Sequence, residues 1–386
     1  MTADRFAEIR ERFAAEERAN RVPRTAADLP RTYESITPEW LGAVLCAGHP
    51  GAHVLSFELG PPDEGTSSRR RITRIEYDAT GRAAGLPSSV FCKGSLALAN
   101  RYILALNGGI EAEVTFYSRV RPKLAIEAPR ALHARFDPRS FNSIIVMEDM
   151  TDQVKFLRCD DTLTRARAES QLRLLATVHG AYYQSAELER SLAPFRTWEE
   201  FFTVTAEEAG FRDSCARGFR AAREVIPERL YKREAEVWPA TLACVARHSE
   251  MPRGLIHSDV HLGNWYLAPS GELGVQDWQC TSRGNWSRDV AYALSTSLTT
   301  EDRRAWERDL LRSYLELLAE ASNGRARVPF EDAFRCYRQQ LFAALAWWTG
   351  TLGQPPEAPA MQPPAVSLTF IGRMARAIDD LDALDA

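Results

Sequence analysis

A change of texture near residue 160 constrains this chain more than any other feature. Strand-like runs crowd the first 150 residues: Val54–Leu59, Arg69–Tyr77, Ser89–Cys92, Ala131–Phe136 and Ser143–Met147. They are rich in β-branched and aromatic residues and are parted by Gly, Pro and Ser turns. From about Thr162 the pattern becomes helical. Leu172, Leu175, His179 and Tyr182 share one face at 3-4-3 spacing, and segments near 198–209, 229–248, 301–320 and 330–349 continue in the same way. Only Gly254–Trp278 interrupts them, alternating short strand-like runs with glycine turns. Strands first and helices later predict an α+β fold with a small β-rich N-lobe and a larger, mainly helical C-lobe. The expected boundaries are an N-terminal helical extension over 1–35, an N-lobe over 36–150 and a C-lobe over 151–386. Within the first two, residues 3–19 read as a charged helix. Thr37-Pro38-Glu39 opens a second helix with a capping residue, a helix-starting proline and an acid. Glu111–Val120 reads as a third, stopped by Pro122.

Composition narrows the function. The 386 residues suffice for two hydrophobic cores. A net charge of -4 argues against a nucleic-acid partner. The seven cysteines are scattered without C-x-x-C spacing, which suits reduced thiols of a cytoplasmic protein. The start, MTADRFAEIRERF, has no apolar leader, and no run approaches the roughly 18 apolar residues of a membrane span. A soluble chain without a membrane partner is expected, and nothing in the sequence sets an oligomeric state.

The chemistry concentrates in LIHSDVHLGNWYLAPSGELGVQDWQ, which begins at Leu255. Asp259 and Asn264 lie five apart, and Asp277 follows at the end of a second short strand. Phosphoryl transfer needs a carboxylate to orient the attacking hydroxyl and accept its proton. It also needs an amide oxygen and a second carboxylate to hold Mg²⁺ against the phosphates. A hairpin through Gly271 would bring Asp277 back to the other two. The same stretch carries a second reading, because His257, Asp259 and His261 form H-x-D-x-H, a pattern open to a metal-dependent phosphohydrolase.

HSDVHLGN resembles the H-x-D-x-x-x-x-N catalytic loop of aminoglycoside phosphotransferases and their relatives. QDWQ stands where that family places a magnesium-binding aspartate. The continuation through Arg283-Gly284, Trp286 and Arg288-Asp289-Val290-Ala291-Tyr292 is similar to the bacterial branch related to choline kinases and ecdysteroid kinase-like proteins. The resemblance spans roughly residues 35–300. It implies a protein-kinase-like fold and an ATP-dependent phosphotransferase that acts on a hydroxyl group of a small molecule. It also implies Asp259 as catalytic base and Asn264 and Asp277 as Mg²⁺ ligands. Two departures stand out: Ser258 replaces the glycine usual after the catalytic-loop histidine, and the phosphate loop lacks a clean G-x-G-x-x-G.

The upstream half fits the same reading. Lys93 ends the strand VFCK and Glu113 lies in GIEAEVTFYSRV, the kinase arrangement for gripping the α- and β-phosphates. Taken singly, the first is an edge-strand lysine and the second an ordinary surface glutamate. Gly60–Ser68, with Gly65, Ser67 and Ser68, is a candidate phosphate-covering turn. Ser143–Met150, with Glu148 and Met150, resembles the strand and hinge that receive adenine. MgATP is expected between the lobes, and the acceptor on the helical lobe near 155–245 and 325–360. His257 is expected to pack the catalytic loop, His179 to be a satisfied core histidine, and Asp289 to hydrogen-bond near the loop. Of the adjacent Trp347 and Trp348, one is expected in the core and the other in an acceptor-pocket wall. Besides the phosphohydrolase, a non-catalytic nucleotide-binding module stands as an alternative.

Overall fold

Thr37 opens its helix in the computed structural model as its sequence dictates. The threonine Oγ1 accepts the backbone N–H of Trp40 at 3.1 Å, and Pro38 takes the first helical position. The structure describes residues 3–208, 210–355 and 362–386. Packing divides the chain into two compact units. One comprises Met1–Lys123 with Pro129–Gln153, the other Leu124–Ala128 with Val154–Ala386.

The first unit is built on an antiparallel sheet. Its strands are β1 (Val54–Leu59), β2 (Ser68–Tyr77), β3 (Val90–Gly94), β4 (Ala131–Phe136) and β5 (Ser143–Glu148), in the order β1-β2-β3-β5-β4. The two-residue strand Asp63–Glu64 pairs with the start of β2. Helices α1 (Ala3–Ala19), α2 (Pro38–Leu45), α3 (Leu98–Asn107) and α4 (Gly109–Thr115) accompany it. Ile72, Val90, Cys92, Ile144 and Val146 from the three central strands are fully buried with Trp40 and Leu41 of α2. Near-continuous apolar runs in β3 and β5 follow from cover on both faces. The N-terminal helix joins this unit through Arg101 of α3. That fully buried guanidinium donates to Glu16 at 2.7 Å and lies 4.8 Å from the Phe13 ring.

The helix expected over 111–120 changes pitch. After α4 comes one π turn, Phe116–Val120, then a 3-10 turn, Arg121–Lys123, which contains Pro122. Proline cannot donate to the residue one turn back, and its ring crowds that carbonyl. The Ser118 hydroxyl adds a competing bond to the Val114 carbonyl at 2.7 Å.

The second unit is helical: α5 (Arg165–Tyr182), α6 (Trp198–Glu208), α7 (Phe211–Ala221), α8 (Glu234–Glu250), α9 (Ser287–Ser297), α10 (Thr300–Ala321), α11 (Phe330–Leu352) and α12 (Pro364–Asp380). The expected face of α5 is buried throughout. Short strands β6 (Gly254–Ile256), β7 (Trp265–Leu267), β8 (Leu273–Val275) and β9 (Ser282–Gly284) lie between α8 and α9. β7 and β8 form the hairpin, turning at Gly271 with φ +86°, and β9 pairs antiparallel with β6. Helices α7 and α11 meet backbone to backbone, so a Cβ at Gly218 would stand 1.8 Å from the Thr349 carbonyl oxygen. Every residue of α9 is buried, including Arg288, Asp289 and three serines. Among the described residues no helix is long and apolar enough to cross a membrane.

Candidate active site

Lys93 is not an edge lysine. It sits on a central strand, registered between Arg69 of β2 and Ile145 of β5, and is only 6% exposed. A buried ammonium requires a partner. Glu113 of α4, 5% exposed, supplies it with Oε1 at 2.9 Å from Nζ.

The turn before β2 is tied down by a helix. Asn100 of α3 donates through Nδ2 to the carbonyls of Gly65 (2.9 Å) and Thr66 (3.1 Å), and its Oδ1 accepts the Ser68 hydroxyl at 2.9 Å. The Tyr33 hydroxyl donates to the Ser68 carbonyl at 2.8 Å. Gly65 is exposed, whereas Ser67 and Ser68 are buried. In the segment expected to receive adenine, Glu148 is exposed and its N–H donates to the Arg130 carbonyl at 3.0 Å, while the half-buried Met150 accepts from the Gln153 N–H at 2.9 Å.

In the second unit the catalytic-loop candidates come together. Ser258 stands at φ +69°, in the left-handed region that favours glycine. Its conformation is held from two sides. Its N–H donates to Asp289 Oδ1 at 2.9 Å, and its hydroxyl lies 2.6 Å from that of Ser282 on β9. The turn then brings Asn264 back onto Asp259, with Nδ2 donating to the Asp259 carbonyl at 2.8 Å and to Oδ2 at 3.3 Å. The Asn264 amide nitrogen is thereby committed to Asp259, and the oxygen points elsewhere. Asp277, also left-handed at φ +62°, follows a residue tied to both ends of the loop. Gln276 donates its N–H to the Asn264 carbonyl and accepts from His257 Nε2, each at 2.9 Å. Asp259 and Asp277 are half-buried.

Beneath the loop lies a buried polar layer. Asp289 accepts the backbone N–H groups of His257 (2.7 Å) and Ser258 (2.9 Å). Its Oδ2 is also 3.1 Å from His179 Nε2, and His179 Nδ1 is 2.7 Å from the Tyr314 hydroxyl. Burial pushes the Asp289 carboxyl upward, but the His179 hydrogen bond and the charges of His179, His257 and Arg288 hold it below the ordinary carboxylate range. Tyr292, one turn further along α9, donates to Asp259 Oδ1 at 3.2 Å. Burial first, and the Asp259 charge second, push the Tyr292 phenol well above its ordinary value.

The phosphohydrolase arrangement does not form. His257 Nδ1 accepts the Asp259 N–H at 3.2 Å and its Nε2 is taken by Gln276; burial depresses its pKa, and its ring centroid lies 4.6 Å from that of Trp278. His261 accepts the Gly263 N–H through Nδ1 and packs against Trp348 and Phe370, with its Nε2 3.7 Å from Asp259 Oδ2. Among the described residues no three His, Cys, Asp or Glu side chains are grouped to hold a metal.

A sequence model of the phosphotransferase enzyme family matches residues 102–330. The chain belongs to that family. The match takes in Glu113, the whole Leu255–Asp277 segment and Tyr292. Curated protein sequences give no match. Solved structures with which the chain aligns include a choline kinase of Streptococcus pneumoniae, at 16% identity and TM-score 0.45, covering 85% of this chain and 94% of that one. A spectinomycin phosphotransferase in complex with ADP and spectinomycin aligns at 14% identity and TM-score 0.45, over 88% and 97% of the two chains. A microcompartment-associated aminopropanol kinase aligns at 15% and 0.47, over 88% and 95%. The phosphotransferase family is the one that the HSDVHLGN and QDWQ motifs resemble, and the β-rich unit with its larger helical companion is the protein-kinase-like α+β fold expected of it.

Other residues of this phosphotransferase were not legible as functional. Asn100, Trp348 and Tyr292 make their contacts with partners 32–56 positions away, such as Tyr292 on Asp259 and Trp348 on Tyr292. Tyr292 lies within the Arg288–Tyr292 motif, and Trp348 is marked only as half of the Trp347–Trp348 pair, with no partner on the loop assigned to it. Trp348 is buried and Trp347 half-buried among Trp198, Phe201, Phe202 and Phe211. Residues 209 and 356–360 of the expected acceptor stretches lie outside the described residues.

Proposed function

We propose that this phosphotransferase moves the γ-phosphate of ATP to a hydroxyl group of a small molecule, with Asp259 as the catalytic base. The observation that carries the reading is the closure of Asn264 onto Asp259, whose amide nitrogen donates to the Asp259 carbonyl and to Oδ2 of its half-buried carboxylate. Asp259 takes the proton of the acceptor hydroxyl as its oxygen bonds to the γ-phosphorus. The bond from phosphorus to the β–γ bridging oxygen breaks, and ADP leaves. Lys93, oriented by Glu113, holds the α- and β-phosphates. The Gly60–Ser68 turn, through the backbone of Gly65, Ser67 and Ser68, covers the phosphates, and Glu148 to Met150 receive adenine.

The donor set suits a hard cation. Asn264 Oδ1 and the Asp277 carboxylate offer only oxygen, which favours Mg²⁺ over Zn²⁺. These two residues would hold Mg²⁺, whose chemistry is to neutralise charge on the phosphate oxygens. The seven free cysteines suit a cytoplasmic setting.

The test is a coupled assay of ADP release from MgATP across a panel of amino alcohols, sugars and aminoglycosides. Release that depends on one class of alcohol is expected. Folded protein that hydrolyses nucleotide equally with every acceptor and with none would overturn the transfer reading.

A further inference from the structure

Asp259 carries two carboxylate oxygens, and the acceptor proton goes to one of them. Tyr292 and Trp348 supply the choice. The Tyr292 hydroxyl is 3.2 Å from Asp259 Oδ1, and Trp348 Nε1 is 2.6 Å from that same hydroxyl. Tyr292 is 1% exposed and Trp348 4%, so water does not compete for these bonds.

The direction of the chain of bonds is forced. An indole N–H only donates, so the tyrosine oxygen must accept it, and the single phenolic proton is left for Asp259. Oδ1 is therefore occupied by a donor. Oδ2 keeps the long 3.3 Å contact from Asn264, and His261 Nε2 stands 3.7 Å away, beyond hydrogen-bond reach. The arrangement is rigid at each step. The Tyr292 ring lies under the Arg288 guanidinium at 4.8 Å, and that group donates to the Ser258 carbonyl at 3.2 Å. The Trp348 ring is wedged against Phe370 at 4.6 Å and His261 at 5.3 Å. Asp289 and Tyr292, three apart on α9, share a helix face. One holds the backbone of the loop and the other its reactive side chain.

We propose that Tyr292, itself oriented by Trp348, is a positioning residue that fixes the Asp259 carboxylate so that Oδ2 receives the acceptor proton. This rests on the reading of Asp259 as base.

The test uses three full-length variants: Tyr292→Phe, Trp348→Phe and the double. Losing a hydrogen bond to a charged group should lower kcat for Tyr292→Phe roughly ten- to hundredfold, with KM for ATP and acceptor nearly unchanged. Trp348→Phe should show a smaller fall in the same direction. Tyr292→Phe alone leaves the Trp348 N–H buried without an acceptor, whereas the double variant removes both partners. The melting temperature should therefore drop in Tyr292→Phe, and in the double by less than the sum of the two single drops, while kcat stays low in both.

Recovery of kcat in the double would make the pair merely structural and overturn the proposal. Wild-type kcat in Tyr292→Phe, with Asp259→Asn inactive, would overturn it too while leaving the base reading intact. Full turnover in Asp259→Asn would instead sink the base reading. Should Tyr292→Phe fail to fold, unchanged kcat in folded Trp348→Phe overturns the proposal.

Discussion

The two units hold their candidate catalytic side chains by opposite means. In the β-rich unit, Lys93 is fixed by a strand register and bridged to the Glu113 carboxylate at 2.9 Å. In the helical unit, Asp259 projects from a loop with left-handed turns at Ser258 and Asp277, and a buried layer of Asp289, His179, Tyr292 and Asn264 restrains it. Regular structure needs few helpers, because the ladder already sets direction. An irregular loop must have its backbone donors satisfied one by one. The β-rich unit should therefore lose function through a pair, and the helical unit through a network.

The strongest way to break that contrast is Asp259→Asn. Turnover should fall about 10²–10⁴-fold, the range for a positioned acid or base, with KM for ATP little changed in the ADP-release assay. Near-wild-type turnover in the folded variant would remove the loop's claim to hold the reactive group. Next comes the anchor under the loop. Asp289→Ala strands two backbone N–H groups and His179, and should cost about 3–5 kcal/mol in denaturant unfolding. A loss below about 1 kcal/mol, the net worth of one ordinary hydrogen bond, would mean the layer is no network.

Acid should strike the helical unit through His248. Burial pushes this histidine down to about 4. Its Nδ1 lies 3.0 Å from Gln340 Oε1, and its Nε2 accepts the Asn285 N–H at 2.9 Å. The folded value lies below the unfolded one of about 6.5, so the unfolded chain binds the proton first. Stability is full above about pH 6.5 and falls as pH drops toward 4, by about 3 kcal/mol in total. Unfolding free energies measured across that window should show a steeper slope in the wild type than in His248→Gln, where His257, also depressed by burial, still contributes. An identical slope in both would place the acid sensitivity elsewhere.

The smallest effect sharpens the other side of the contrast. Lys93→Ala should lower kcat/KM for ATP roughly ten- to hundredfold, a loss of about 1.4–2.7 kcal/mol, and Glu113→Ala less. The double variant should be little worse than Lys93→Ala, since the residues act as one unit. Additive losses would show that the buried bridge is not what presents the lysine.

The same contrast decides what could be read in advance. The five main strands were legible because β-branched residues alternate with turn signals, and the loop because Asp259, Asn264 and Asp277 keep a chemical spacing. Helix α9 was not, since Ser287–Ser297 is buried on every side yet carries Arg288, Asp289 and several hydroxyls. Without a polar face to contrast with an apolar one, no period emerges. Helices α3, α7 and α12 were also unassigned. The expected 229–248 helix divides at Arg233 into Glu228–Lys232 and α8. The partnership of Tyr292 with Trp348 bridges 56 positions, and the Trp347–Trp348 pair carries no sign of which indole reaches Tyr292.

The seam between α7 and α11 has a consequence for any attempt to retune this enzyme by laboratory evolution. A Cβ at Gly218 would fall 1.8 Å from the Thr349 carbonyl oxygen, and one at Gly353 would fall 2.0 Å from that of Ser214. Both obstacles are main chain, which cannot swing aside as a side chain can. In a saturation scan these two columns should accept glycine alone, whereas Gly48, with open space around its α-carbon, should take most letters. Because α11 also carries Trp348, a helix that cannot slide keeps that indole in register with Tyr292. Library diversity is better placed on the side chains that α11 displays than on the contacts that seat it.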